Sequence, residues 1–168
     1  MADELAKAHQ AIGAYFCAFS ELERELGEAL KVVLRLQGNP AADAIVAAVG
    51  DFARKARIVQ AAVQFAKSTD GAEPEWKAKA VETMRDILGC NNPDRRDLAH
   101  DYLEPHPDGS VSLQKPGQPA RPWSVAKFER KTRKLKDLTT AVRATTDELT
   151  KITIPPDWVA ALFTTVPM

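Results

Sequence analysis

Residues 5–36, LAKAHQAIGAYFCAFSELERELGEALKVVLRL, carry the pattern that decides the fold. Apolar side chains recur at alternating intervals of three and four: Leu5, Ala8, Ile12, Tyr15, Phe19, Leu22, Leu26, Ala29, Val33 and Leu36. Only a helix, at about 3.6 residues per turn, gathers such positions on one face. The seam persists for more than four heptads, which suits a bundle or a subunit contact better than a short surface helix. Gly38 and Pro40 in QGNPAAD end this helix and open the next, because glycine tolerates the left-handed terminus and proline suits a first turn.

The same spacing continues outward from that stretch. Ile45, Val49, Phe52, Ala56, Val59, Val63 and Ala66 predict a second helix running up to KSTDGAEP, and Trp76, Ala80, Met84 and Ile87 or Leu88 predict a third from Glu73 or Pro74. Phe128, Leu135, Val142 and Leu149, seven apart, predict a last long helix from Ser124, with Leu138 and Ile152 beside its seam. Ser124 is an adequate N-cap, and Trp123 before it is read as a staple on the helix start rather than a platform for a base. Between the third and last helices, Asn92, Pro93 and Asp94 predict a short further helix, or the far side of a kink in the third, closed by Pro105 and Pro107. HPDGSVSLQK adds an Asp-Gly turn beside alternating Val111 and Leu113, enough for a small hairpin or extended loop. The expected fold is all-α, an up-and-down bundle of about four main helices over residues 1–154. Residues 155–168 form an apolar tail packing on that bundle or on a second subunit.

Composition narrows the function classes. Hydrophobic residues at 45% and charged residues at 27% in a chain of 168 exclude wholesale disorder and fibrous repeats. No apolar run approaches a membrane span and no basic segment precedes an apolar one at the start, so a cytoplasmic address is expected. Cys17 and Cys90 have no C-x-x-C spacing, which points to a reducing compartment without a disulfide framework or zinc site. No metal and no cofactor is expected, since no Asp, Glu or His cluster recurs at helical ligand spacing. His9 and His106 read as surface residues, and Glu21, Glu25 and Glu28 as a solvated stripe on one helical face.

Net charge is zero, yet it is unevenly spread: residues 121–136 hold Arg121, Lys127, Arg130, Lys131, Arg133, Lys134 and Lys136 against Glu129 alone. Because Phe128 and Leu135 share that helix and must face inward, the cations point outward. They read first as a solvated helix face near acidic neighbours, with Lys127, Arg130, Lys131 and Lys134 as candidates for phosphate or RNA contact in the alternative.

The chemistry-bearing stretch is NNPDRRDLAHDYLEP, residues 91–105. His100 can take or give a proton near neutral pH, and Arg95 and Arg96 offer charged forks to phosphate oxygens. On a regular helix, at about 100° per residue, Arg96 shares a face with His100 while Arg95 aligns with Tyr102. Arg95 and His100 would meet at one phosphate only through an irregular first turn or a second subunit.

RRDLAHDY resembles the R-x4-H-x-Y form of the signature of HEPN domains, the higher eukaryote and prokaryote nucleotide-binding group. The long helices, the motif after the third and the polar insertion before the last are also similar to that family over most of residues 1–152. The resemblance implies Arg95 and His100 as the active pair, with Tyr102 as the accompanying tyrosine. It further implies a two-fold homodimer whose motifs face each other across a cleft. Its members include metal-independent endoribonucleases of toxin–antitoxin, phage-defence and RNA-processing systems, some paired with a small nucleotidyltransferase antitoxin that modifies the motif tyrosine. One departure stands out: the position after the motif arginine is commonly polar, such as Asn, and here is Arg96. The expected activity is thus RNA cleavage without metal. The rival expectation is a noncatalytic HEPN-like dimer that binds a nucleotide or protein, using the cleft and the apolar segment from Trp158 to Phe163.

Overall fold

A computed structural model describes residues 2–68, 71–90, 102–108, 110–114, 117 and 119–152. Five helices and three strands are described: α1 (Ala2–Val33), α2 (Ala42–Ala48), α3 (Phe52–Phe65), α4 (Lys77–Cys90), β1 (Tyr102–Pro105), β2 (Ser110–Gln114), β3 (Arg121–Ser124) and α5 (Val125–Thr150). The architecture is the helical bundle that the spacing implied, with one small antiparallel sheet in the order β1-β2-β3.

Contacts divide the chain into two units, one of Met1–Leu22 with Cys90–Asp137, the other of Glu23–Gly89 with Leu138–Met168. Both long helices therefore contribute to each. In the first unit Ala8, Ala11, Tyr15, Ala18, Phe19 and Leu22 of α1 are buried, as are Val111, Leu113 and Trp123 of the sheet and Phe128 and Leu135 of α5. In the second, Leu26, Leu30 and Val33 of α1 are buried together with Val46 of α2, Phe52, Val59 and Val63 of α3, Met84 and Ile87 of α4, and Val142 and Leu149 of α5. Gly27 allows α1 and α2 to approach closely, since a Cβ there would stand 3.4 Å from Val46 Cγ1.

Three local outcomes depart from the expectations. First, α1 stops at Val33, before Gly38: Arg35 adopts φ 55°, the Arg35 amide donates to the Val32 carbonyl (3.0 Å) and the Leu36 amide to that of Lys31 (2.8 Å). This is a Schellman terminus built on arginine instead of glycine. Second, the single helix expected from Ile45 to Ala66 is two. Gly50 turns left-handed at φ 88°, and Asp51 restarts the chain by accepting a hydrogen bond from the Arg54 amide at 2.9 Å. Third, the expected helix of the 91–105 stretch does not extend to Pro105, because Tyr102–Pro105 is a strand whose Cα partners run from Gln114 to Val111. Residues 91–101, where the short motif helix was expected, lie outside the described residues, as does the apolar tail from residue 153.

Glu25 also departs from the solvated stripe. It is buried, and its carboxylate accepts from the guanidiniums of Arg24 (2.6 Å) and Arg143 of α5 (3.1 Å). Its stripe neighbours behave differently: Glu21 is half-buried and Glu28 exposed. Glu28 shares the Lys31 ammonium with Asp43, each at 2.7 Å, and the Asp43 contact followed by the Glu28 contact raises the Lys31 pKa above 10.5.

Candidate nucleic-acid interface

The residues that could carry chemistry lie on the segment from the end of α4, through the sheet, to the first half of α5. Arg95, Arg96 and His100 fall outside the described residues. Tyr102 opens β1 opposite Gln114, so the seven-residue helical alignment of Arg95 with Tyr102 does not hold. The hairpin from β1 to β2 closes through Asp108, whose Oδ1 accepts from the Ser110 hydroxyl (2.7 Å) and amide (2.9 Å). The Ser110 hydroxyl, then its amide, holds the Asp108 carboxyl below its ordinary value, with nearby His106 adding in the same direction. His106 is half-buried rather than fully at the surface, its Nε2 lying 2.6 Å from Ser112 Oγ, while His9 is exposed.

β3 delivers the chain to α5. Val111 faces Trp123 across the β2–β3 pair, and Ser124 Oγ accepts from the Lys127 amide at 3.2 Å, the expected N-cap. Trp123, just before the cap, packs against Phe128 four residues inside the helix, ring centroids 4.8 Å apart and tilted by 48°. That is the expected hydrophobic staple. Tyr15 of α1 meets Phe128 edge-on at 6.0 Å. Trp123 is 3% exposed, and Lys127 Nζ sits 3.8 Å above its ring with Lys131 Nζ at 5.4 Å, so its face serves the protein's own cations.

The staple fixes which way the basic helix turns. With Phe128 and Leu135 buried, Arg130, Arg133, Lys134 and Lys136 are exposed, and Lys127 and Lys131 are half-buried beside Trp123. Lys127, Arg130, Lys131 and Lys134 follow the i, i+3, i+4, i+7 spacing and share one face. Of the expected phosphate contacts, these four are brought together on α5.

Arg133 and Lys136 occupy a different side, which sequence reasoning had not separated from the first. With Glu129 and Thr132 they line a groove of about 250 Å³ against Ala11 and Ala14 of α1, and the buried Thr132 hydroxyl has no hydrogen-bond partner among the described residues. The signal was available: small residues on α1 opposite Thr132, a polar residue at an inward position of α5. Among the described residues no three His, Cys, Asp or Glu side chains come together as metal ligands would, and no helix is long and apolar enough to cross a membrane.

Comparison with known proteins adds no family: no family model, no curated protein and no solved structure matches this chain. The functional reading therefore rests on its own residues.

Proposed function

We propose that this protein is a metal-independent endoribonuclease of HEPN type, acting as a homodimer. The observation that carries the reading is the Arg95, His100 and Tyr102 spacing within RRDLAHDY, set between a helical segment and a strongly basic helix. In this reading His100 removes the proton of a ribose 2′-hydroxyl. The 2′-oxygen attacks the adjacent phosphorus, the bond from phosphorus to the 5′-oxygen breaks, and that oxygen leaves with a proton returned by a His100 imidazolium, that of the same subunit or of its partner in the dimer. The products are a 2′,3′-cyclic phosphate and a 5′-hydroxyl. Arg95 holds the scissile phosphate, Arg96 and Tyr102 assist, and Lys127, Arg130, Lys131 and Lys134 contact the rest of the strand. Proton transfer by a positioned base contributes roughly 10²- to 10⁴-fold, and cations fixed at the phosphate stabilise the charge that develops there. A place in a toxin–antitoxin or phage-defence system, with a nucleotidyltransferase-type antitoxin as partner and a cytoplasmic address, belongs to the same proposal.

The test follows from the 2′-hydroxyl. In EDTA, the protein cuts an RNA oligonucleotide and leaves the same sequence with 2′-deoxyribose at every position intact. Cleavage of the deoxy strand, or of neither, overturns the mechanism. Arg96 favours a second reading, a noncatalytic HEPN-like dimer that uses the extra cation to bind a nucleotide or protein. It requires that neither strand be cut and that a partner copurify.

A further inference from the structure

We propose that Ser112 and His106, on the hairpin of β1 and β2, form a nucleophile–base pair that takes an acyl group from a small activated ester. The pair stands on the sheet alone and is independent of the ribonuclease reading. Strand alternation decides which side chains share a face. Val111 and Leu113 of β2 are buried, so Ser110, Ser112 and Gln114 lie on the opposite, outer face. Glu104 is the β1 partner of Ser112, and beyond Pro105 the His106 amide donates to the Ser110 carbonyl at 2.8 Å, which carries the ladder one residue further. His106 therefore stands on the outer face, diagonal to Ser112, a separation that a ring can span.

That placement brings His106 Nε2 to 2.6 Å from Ser112 Oγ, the reach at which a base activates a hydroxyl. The ring sits on a constrained segment: Pro105 and Pro107 flank it, and a following proline holds the His106 backbone extended. Both side chains are half-buried, while Pro122, the β3 partner of Ser112, is exposed and offers an apolar surface to an acyl group. With the ring proton on Nδ1, Nε2 accepts the Ser112 hydroxyl hydrogen. Asp108 lies near enough for His106 to help hold its carboxyl below the ordinary value, so a negative charge stands beside the cation that the ring becomes on taking the proton. In the step, Ser112 Oγ bonds to the ester carbonyl carbon, its proton passes to His106 Nε2, and the bond to the leaving oxygen breaks with departure of an anion such as a phenolate. Water then attacks the acyl carbon and gives a proton to His106, and the bond to Ser112 Oγ breaks as that oxygen takes the proton back, releasing a carboxylic acid. A leaving group that departs as a stable anion needs no acid behind it, which is why the class is an activated ester.

Treatment of the full-length protein with diisopropyl fluorophosphate, followed by peptide mass spectrometry, tests this. Ser112 Oγ bonds to phosphorus, the phosphorus–fluorine bond breaks, fluoride leaves and His106 Nε2 takes the proton. The expected result is a diisopropylphosphoryl group on Ser112, formed at least about tenfold faster than on Ser110 or Ser124 of the same sheet, since only a hydroxyl with a base is activated. His106→Gln keeps a hydrogen-bonding group beside Ser112 but no base, and should slow labelling by about 10²-fold or more, with circular dichroism and Tm unchanged. Absence of an adduct on Ser112, or labelling of all three serines at one rate, overturns the inference, and neither outcome depends on how the variant folds. An unchanged rate in a folded His106→Gln protein overturns it as well. The ribonuclease proposal fails separately, through absence of RNA cleavage, whatever the labelling shows.

Discussion

Glu25 shows how a residue's neighbours decide its role. It is one of several acids on α1, yet it is 8% exposed with both adjacent guanidiniums on its carboxylate. Those arginines are 61% and 47% exposed at the side chain, so water screens them and hydrates them if the acid is lost. Glu25→Ala is accordingly expected to cost about 1 kcal/mol in chemical denaturation, well short of a fully buried pair. Asp108 supplies a pH signature. Its folded-state pKa is depressed below 3.8 by Ser110, so its stabilisation of the hairpin is present above the unfolded value and lost as pH falls through the folded one. An NMR titration should place the Asp108 midpoint below 3.8, with the Ser110 amide resonance moving in step. Gly13 offers the opposite sign. It lies exposed within α1, and among the described residues an added Cβ meets nothing within 4 Å. Gly13→Ala should therefore raise stability by about 1 kcal/mol, roughly 2–4 °C in Tm.

Elements are legible where period and punctuation agree, and obscured where the two conflict. Val49 and Phe52 preserve the helical spacing across Gly50 and Asp51, so the hydrophobic pattern passes straight through the break between α2 and α3. The stop and start signals, a left-handed glycine and an aspartate N-cap, were there in the same four residues and weigh more than the spacing. Gly50→Ala, placing a Cβ at φ 88°, is expected to cost about 1–2 kcal/mol, and Asp51→Ala about 1 kcal/mol; thermal denaturation of each variant checks both values. Arg35 conceals the end of α1 for a related reason, since nothing in its identity announces a left-handed residue. β3 was not legible because it has four residues, one of them Pro122. Proline is tolerated there, as Pro105 is in β1, because both are edge strands of the sheet. The start of α5 was legible in full, because cap, staple and heptad all pointed to Ser124.

For the whole molecule, fold class could be read from hydrophobic spacing alone, and the basic face of α5 from charge plus the inward residues Phe128 and Leu135. The motif chemistry is a different matter, because it depends on where Arg95 and His100 stand relative to one phosphate, and residue spacing along a chain does not specify that distance. Functional proof must therefore come from the reaction itself. The most direct measurement is cleavage of mixed cellular RNA in EDTA by the native protein beside His100→Ala purified identically, with circular dichroism and sizing to show equal folding and assembly. RNA cleavage by His100 requires fragments from the native protein and at least a hundredfold loss in the variant, the scale on which a general base acts, about 10²-fold or more. Equal fragmentation by both proteins, or none by either, would contradict it and leave RRDLAHDY without a catalytic role.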